Sequence, residues 1–297
     1  MKQWMESHPR TVTVILWLVA IIITGFYVLY ENDPYDPLSG ELVLEDGQVV
    51  EYEFIRSRVL DEELVVGVDA PEGTSGYVEY WRVNSDDEPQ IADMELQTVS
   101  VESMGDAEEV ELLAAKLPGL SEMAGKYAYF VHLEYEGESY VIDDGAGEAI
   151  VSRYRGDMPM LTVVLPHVVS IMLSMLFGIR AALEALRPGG KPRWMMWATL
   201  ITLILGGFIF GPIMQKYAFG VYWAGVPMGW DLTDNKVTIE LVLWLVAVFF
   251  NTGSRKDGPW AHRTIAIAGL ATFIVYMIPH SLFGSGYDYT AGGAVTE

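Results

Sequence analysis

Five apolar runs constrain the fold of this chain more than any other feature of its sequence. They occupy residues 11–30, 158–179, 194–213, 237–250 and 264–283. Four of them contain at least 20 residues, the length that a helix needs to cross the hydrocarbon core of a bilayer. The fourth run has only 14 residues, but it reaches the required length if its helix begins near Leu232. The sequence therefore predicts five membrane-spanning helices.

The first run is predicted to be an uncleaved anchor. Lys2 and Arg10 precede it, as in a signal peptide, but its 20 residues exceed the usual apolar core of such a peptide. The polar sequence YENDPYDP follows, where a signal peptide would have small residues at a cleavage site. We therefore expect this helix to stay in the bilayer, with its N-terminus on the cytoplasmic side.

Negative charge is concentrated between the first and second runs. Residues 31–157 contain 32 of the 40 acidic residues and seven basic ones, a net charge of −25, whereas the rest of the chain carries +3. A field of this sign repels phosphates, which excludes nucleic acid as a partner. The chain contains no cysteine, which excludes disulfide scaffolds and thiolate metal sites.

Residues 31–157 also change from continuous apolar runs to alternating apolar and polar residues. Segments such as VVEYEFIRSRVL, GYVEYWRV and KYAYFVHLEY are separated by turn signals such as EDGQ and APEGTSG. Six or more short strands predict an all-β, sandwich-like domain that is large enough to bury its own core. Residues 107–117, AEEVELLAAKL, fit a short helix as well as a strand, and both interpretations stay open.

Basic residues set the expected orientation. They cluster in two loops, with Arg180, Arg187, Lys191 and Arg193 after the second run and Arg255, Lys256 and Arg263 after the fourth. Because such loops stay in the cytoplasm, the sequence predicts a five-span α-helical bundle in the plasma (inner) membrane, with the N-terminus inside and the C-terminus outside. The expected domains are an anchor at 1–30, an acidic extracytoplasmic β-domain at 31–157 and a four-helix transmembrane domain at 158–297.

Residues 211–236 are predicted to form an aromatic lid on the outer side of the transmembrane domain. They combine five aromatic residues with two prolines and a polar cluster at 231–236. Aromatic rings anchor at the boundary between membrane and water, and Trp194, Trp197 and Trp260 would mark the inner boundary in the same way. Gly207 and Gly211 have the spacing of a close helix contact.

Three ionisable residues fall inside the predicted spans, where their cost suggests a function. His167, His280 and Glu240 are all placed by the helical rise in the outer layer of the bilayer, roughly 5 to 13 Å deep. The two histidines could ligate haem b, or serve in proton or quinone handling. Alternatively, they bond to carbonyls freed by Pro166 and Pro279, or pair with Glu240, and only fix the helix packing.

The acidic residues near the start of the fourth span have two interpretations. Asp231, Asp234 and Glu240 could gather a metal cation at the mouth of the bundle. Alternatively, Asp231 or Thr233 caps the helix and Lys236 pairs with Glu240 one turn later. Carboxylate pairs in the β-domain match no EF-hand spacing and are typical of a solvated acidic face.

Two segments carry a resemblance to known proteins. GPIMQKYAFGVYWAGVPMGWDLTDNK and RYRGDMPMLTVVLPHVVSIMLSMLFGIRAALEAL are similar to a family of uncharacterised bacterial multi-span membrane proteins with an extracytoplasmic β-domain. The resemblance covers mainly residues 153–284. It implies the layout of one anchor, one β-domain and one helical bundle, and it carries over no catalytic residue.

These observations predict a non-enzymatic subunit or accessory factor of a larger membrane complex, whose partners are the lipid bilayer and other membrane-protein subunits. The short inner loops leave no room for a cytoplasmic catalytic domain, and the sequence holds no nucleophile elbow or phosphate-binding loop. Two alternatives stay open: a haem b or quinone redox subunit with ligands His167 and His280, and a transporter or ion-conducting subunit that uses Glu240. The lack of an inverted repeat weighs against transport.

Overall fold

The computed structural model describes residues 6–30, 36–103, 106–278 and 285–296, and the chain divides into two compact units. The helical unit comprises Met1–Pro34 and Met158–Gly284 with the last two residues, and the β-unit comprises Tyr35–Asp157 and Ser285–Val295. The sequence placed all of 158–297 with the helices. In the structure, the C-terminal segment instead belongs to the β-unit.

The β-unit has two large sheets, to which the C-terminal hairpin described below is added. Its strands are β1 Leu38–Val43, β2 Val49–Phe54, β3 Ser57–Val59, β4 Leu64–Asp69, β5 Ser75–Arg82, β6 Gln90–Asp93, β7 Glu95–Ser103, β8 Asp106–Leu117, β9 Lys126–Tyr135, β10 Glu138–Ile142 and β11 Ile150–Arg155. One sheet has the strand order β1-β2-β4-β8-β7. The other has the order β3-β11-β9-β5-β6, and β10 also pairs with β9. This architecture confirms the expected β-rich domain.

Alternation along the strands builds the core between the sheets. In β2, Val50 and Phe54 are buried, whereas Glu51 and Glu53 between them are exposed. Buried residues of both sheets join in one apolar cluster, to which the six-stranded sheet contributes residues such as Tyr129. Successive side chains of a strand point to opposite faces, so each strand gives one face to the core and the other to the surface.

Residues 107–117, which allowed two interpretations, belong to strand β8. This strand pairs antiparallel with β7 on one side and with β4 on the other. Leu113, Ala115 and Leu117 are buried, and the intervening Lys116 is exposed. The helix interpretation is wrong because strand pairing on both edges outweighs the local helix propensity of alanine, leucine and glutamate.

The helical unit contains six α-helices within the described residues. They are α1 Pro9–Tyr30, α2 Leu165–Leu186, α3 Arg193–Leu203, α4 Gly211–Phe219, α5 Leu232–Asn251 and α6 Ala261–Met277. A π-helical turn, Met160–Val164, precedes α2, and a longer one, Ile204–Phe210, joins α3 to α4. Both α2 and α4 have a proline in their first turn, Pro166 and Pro212. Proline cannot donate to the preceding turn, and the wider π turns accommodate this loss without breaking either helix.

Three helical stretches are long and apolar enough to cross a membrane: Pro9–Leu29, Met160–Leu186 and Arg193–Phe219. They correspond to the first three expected spans. Helix α5 begins at Leu232, where the fourth span was placed, but it carries three charged residues, and α6 is a shorter apolar helix of 17 residues. A membrane protein is therefore supported, while the five-span arrangement stays a prediction.

The C-terminal segment forms a small hairpin that packs within the β-unit. Its strands are β12 Ser285–Asp288 and β13 Gly293–Thr296. The backbone N–H of Tyr287 donates to the carbonyl of Ala124 at 3.1 Å, and that of Tyr289 donates to the carbonyl of Asn84 at 2.9 Å. Both acceptor residues have a left-handed backbone, with φ of 65° and 56°, which is uncommon for alanine. The two turns whose carbonyls accept the N–H groups of the hairpin therefore have a defined, uncommon backbone conformation.

Arg82 links the hairpin to the rest of the β-unit. Its guanidinium lies over the ring of Tyr289, 4.3 Å from the centroid, and it also donates to both carboxylate oxygens of Asp87. This bond to Arg82 holds the pKa of Asp87 below its ordinary value of 3.8. Burial raises the pKa of the Tyr289 phenol, so the ring stays neutral against the cation.

We predict that Gly125→Ala weakens hairpin docking. A Cβ at Gly125 would lie 2.6 Å from the phenol oxygen of Tyr289 and 2.9 Å from the carbonyl oxygen of Glu122, so the substitution overpacks the site by about 1–3 kcal/mol. The expected result is faster proteolysis after residue 285. Adding Tyr289→Phe removes the nearer oxygen and should restore part of the protection.

Gly293→Ala is the control for this prediction. Gly293 lies in the same hairpin, and no atom lies within 4 Å of the position that a Cβ would occupy there, so its substitution meets open space. Equal proteolysis of the Gly125→Ala and Gly293→Ala variants would contradict the docking described here.

Candidate functional site

The start of α5 carries the acidic cluster that the sequence singled out. The carboxylate of Asp231 accepts the backbone N–H of Thr233 at 2.8 Å and that of Asp234 at 3.1 Å, so Asp231 is the N-cap of the helix. Asp231 is itself buried. The capping interpretation therefore accounts for this residue, because a carboxylate at the N-terminus satisfies free N–H groups and suits the helix dipole.

Asp234 and Asn235 hold the loop between α4 and α5. Asp234 Oδ2 accepts the backbone N–H groups of Ala224 at 2.7 Å and Gly225 at 3.0 Å. The side-chain oxygen of Asn235 accepts the N–H of Val226 at 2.8 Å. These bonds fold the predicted lid onto the first turn of α5. These two polar side chains therefore stabilise the fold of the lid through bonds to its backbone.

The lid presents an apolar tip. Trp230 and Met228 are 80% and 73% exposed, and Tyr222 is exposed beside them. Trp223 instead stacks on Phe208 of the helix below, with ring centroids 5.6 Å apart. An exposed aromatic tip on a segment fixed to the helices is suited to the membrane–water boundary, as the sequence predicted.

Glu240 lies fully buried in α5 and takes part in a short relay of hydrogen bonds. Its Oε1 accepts the hydroxyl proton of Thr272 in α6 at 2.7 Å. The Thr272 oxygen in turn accepts the indole N–H of Trp244 at 2.9 Å. Oε2 of Glu240 has no hydrogen-bond partner among the described residues.

Glycine brings the helices around this relay into close contact. A Cβ at Gly178 of α2 would lie 3.2 Å from Thr272 and 3.3 Å from Trp244, and a Cβ at Gly269 of α6 would lie 2.6 Å from the carbonyl oxygen of Gly178. The crossing of α2 and α6 therefore depends on small residues. Gly207 has a similar role, since its Cβ would lie 2.6 Å from Val237 of α5. This agrees with the expected close helix contact at Gly207.

The three predicted metal ligands have different partners. Asp231 and Asp234 bond to backbone N–H groups, whereas Glu240 bonds to Thr272. The Lys236 ammonium donates to the carbonyl of Ile278 at the end of α6, at 2.6 Å. Within the described part of the chain, no group of three or more His, Asp or Glu side chains is arranged to hold a metal ion.

His167 bonds to a carbonyl in a neighbouring helix. Its Nδ1 lies 3.0 Å from the carbonyl oxygen of Gly206, in the π-helical segment, and its ring would touch a Cβ at Gly211. This carbonyl also accepts the backbone N–H of Gly211 and is not one that Pro166 frees, so the contact is compatible with a packing role but does not match the proline-linked bond that the sequence suggested. His280 lies outside the described residues. Haem b ligation by the two histidines therefore stays a prediction.

A buried ion-pair cluster at the other end of α2 was missed by the sequence, which used its arginines only to orient the loops. Arg180 is 1% exposed and donates to Glu184 at 2.8 Å, and its guanidinium lies 5.3 Å from the ring centroid of Trp17 in α1. Arg187 lies 3.4 Å from Glu184 and donates to Thr13 of α1. The i, i+4 spacing of Arg180 and Glu184 was the available signal. This cluster fastens the anchor helix to α2.

The β-unit contains an open groove of about 1100 Å³ on the outer face of the five-stranded sheet. Its floor is apolar and comes from β4, β8 and β7, with Val65, Val99, Val110 and Leu112 as its main side chains. Carboxylates and the two arginines Arg58 and Arg155 also line the groove. The groove residues face away from the core because they alternate with the buried residues of the same strands.

Acidic pairs elsewhere in the β-unit serve its turns. Asp144 accepts the backbone N–H groups of Ala146 and Glu148, and Asp143 accepts that of Gly145. Such bonds from Asp to nearby N–H groups stabilise tight turns.

Comparisons with known proteins add no relative from which a role could be carried over. No protein-family model matches the chain, and neither a curated protein nor a solved structure matches it significantly. The resemblance in residues 153–284 is not tested by these comparisons. The role of each residue therefore rests on the contacts described above.

We predict that Thr272→Val destabilises the helical unit by about 1–3 kcal/mol, because it leaves both the indole N–H of Trp244 and Oε1 of Glu240 buried without this partner. Thermal unfolding in detergent micelles measures the effect. Thr202→Val is the matched control, since the Thr202 hydroxyl donates only to carbonyls of its own helix. Equal losses in the two variants would contradict a relay at Glu240.

Proposed function

We propose that the protein is a plasma-membrane accessory subunit, without a reaction of its own, that presents the β-unit on the outer side as a binding module for other proteins. The observation that carries this proposal is the open groove on the five-stranded sheet, which combines an apolar floor with charged margins. Exposed apolar surface with a polar rim is typical of sites where proteins associate.

The topology proposed with this function has five spans, with the N-terminus inside and the C-terminus outside. Helix α1 leads into the β-unit, and the hairpin after α6 returns to the same unit. The chain between them must therefore cross the bilayer an even number of times. Four crossings fit, formed by the stretches around α2, α3 with α4, α5 and α6. The arginine- and lysine-rich loops then lie in the cytoplasm.

The charges of α5 support its assignment as the fourth span. Asp234 and Lys236 lie in its first turns and bond to backbone groups of the helical unit, and Glu240 is fully buried. The exposed side of the helix is apolar and includes Ile239, Val242, Leu245 and Phe249. Ionisable residues in membrane helices face the protein interior in this way, because lipid cannot solvate them.

Labelling of single cysteines tests the topology, since the chain has none of its own. Ser139→Cys in the β-unit and Ala291→Cys in the hairpin place exposed thiols on the side proposed to be outside, and Ser254→Cys places one in the loop after α5. A membrane-impermeant maleimide should label the first two in intact cells. It should label Ser254→Cys only after the membrane is permeabilised.

Two patterns of labelling would contradict the topology. If Ala291→Cys stays unlabelled in intact cells that label Ser139→Cys, the number of crossings between them is odd. If only Ser254→Cys is labelled, the orientation is the reverse of the one proposed.

Photo-crosslinking tests the binding role. A benzophenone amino acid at Ser39, which lines the groove, should form an adduct with a second polypeptide in native membranes, and mass spectrometry identifies that polypeptide. The same amino acid at the exposed Ser139, away from the groove, is the control. Adducts of equal yield at both positions, or none at Ser39, would argue against the groove as a binding site.

A further inference from the structure

A row of carboxylates crosses the groove from strand to strand. Glu41 of β1 lies directly opposite Glu51 of β2, and Glu51 lies opposite Asp69 of β4. Glu53 extends the group along β2. Neighbouring strands are about 4.8 Å apart, so three like charges stand side by side within roughly 10 Å. Directly opposed like charges weaken strand pairing.

No ion pair within the described residues offsets these charges. Among the described residues, Glu41, Glu51, Glu53 and Asp69 form no salt bridge, whereas other acidic residues of the β-unit do pair with arginine, for example Glu62 with Arg58. Two arginines also line the groove, but Arg58 pairs with Glu62 and Arg155 donates to the hydroxyl of Ser57. Within the described residues, the row of carboxylates therefore has no ion-pair partner.

The floor beside the row is apolar. Val65, Val99 and Val110 are only partly buried, and Leu112 lies against Gly67, where a Cβ would approach it to 3.1 Å. Charge alone is enough to keep an acidic surface solvated, and exposing apolar residues beside it brings no favourable interaction with water. An occupant that buries methylene groups on the floor while it neutralises the row would use both features.

We propose that this groove binds an extended segment of a partner protein that carries several lysine or arginine side chains. The segment lies on the valine and leucine floor and directs its cations to Glu41, Glu51 and Asp69. This inference rests on the proposed binding role of the β-unit and specifies the chemistry of the partner.

Lysine and arginine suit the groove because they have two parts. Their aliphatic stems cover apolar surface while the charged head reaches outward to polar groups. Side chains on one face of an extended segment repeat every second residue, about 6.6 Å apart, which lets two of them serve a row of roughly 10 Å. Alternation of cationic and apolar residues therefore matches the groove.

A pair of synthetic peptides tests the inference with the full-length protein in detergent micelles. A fluorescent peptide of alternating lysine and valine should bind, as measured by fluorescence anisotropy, and binding should weaken with salt. A peptide of the same composition with its lysines in one block should bind several-fold more weakly. A peptide of alternating glutamate and valine should not bind.

Variants distinguish the groove from the overall negative charge of the chain. Glu51→Gln with Asp69→Asn should weaken binding of the alternating peptide about tenfold, since each exposed ion pair contributes modestly. Val99→Thr should weaken it about threefold by making the floor polar. The control is Glu134→Gln with Glu138→Gln, two exposed residues outside the groove that remove the same charge. It should leave binding nearly unchanged.

Three results would overturn the inference: no binding of the alternating peptide, equal binding of the two lysine peptides, or equal losses in the groove and control variants. Crosslinking from Ser39 separates this failure from that of the proposed function. If Ser39 still yields an adduct, the β-unit binds a partner of different chemistry. If it yields none, the binding role itself fails.

Discussion

The return of the C-terminal hairpin to the β-unit is the contact that constrains the path of the whole chain. It depends on two N–H groups that reach the carbonyls of Ala124 and Asn84, and on a tyrosine ring held by Arg82. Both acceptor residues adopt a left-handed backbone, a conformation that costs an alanine roughly 1 kcal/mol. That cost is tolerated where the surrounding contacts define the position. The segment between Met158 and Gly284 thus has both ends joined to the same unit.

A second constraint acts in the interior of the helical unit, where buried polar side chains need protein partners because water does not reach them. Helix α5 carries more charge than the other long helices, and each charged side chain has a protein partner: Asp234 holds the lid, Lys236 a helix-end carbonyl and Glu240 the hydroxyl of Thr272. These contacts place the charged side chains of α5 on the face that packs against the rest of the helical unit. Gly178 then lets α2 approach the relay closely. The lid and the packing of three helices are consequences of where α5 must place its charges.

How far the sequence predicted this structure depends on the range of each signal. Apolar runs and strand alternation are local periodicities, and the helices, strands and start of α5 at Leu232 follow from them. The relay was not predictable, because Thr272 is one neutral hydroxyl in an apolar run until α5 is packed against it. The hairpin was not predictable either, since its turn-rich sequence acquires a structure by docking onto distant carbonyls. Residues 107–117 satisfied both a helical and a strand pattern, and only pairing with β4 and β7 decided between them.

The acidic surplus of the β-unit has two components with different physical meanings. Several carboxylates pair with arginine or accept turn N–H groups, and these need no explanation beyond solubility and turn geometry. The row across β1, β2 and β4 differs, because its members oppose one another directly at some expense to strand pairing. Solubility is served equally well by charges placed anywhere on the surface. An occupant with opposite charge would gain from having them aligned beside an apolar floor, and this alignment, which the net charge does not reveal, is the basis of the proposed binding of a cationic segment.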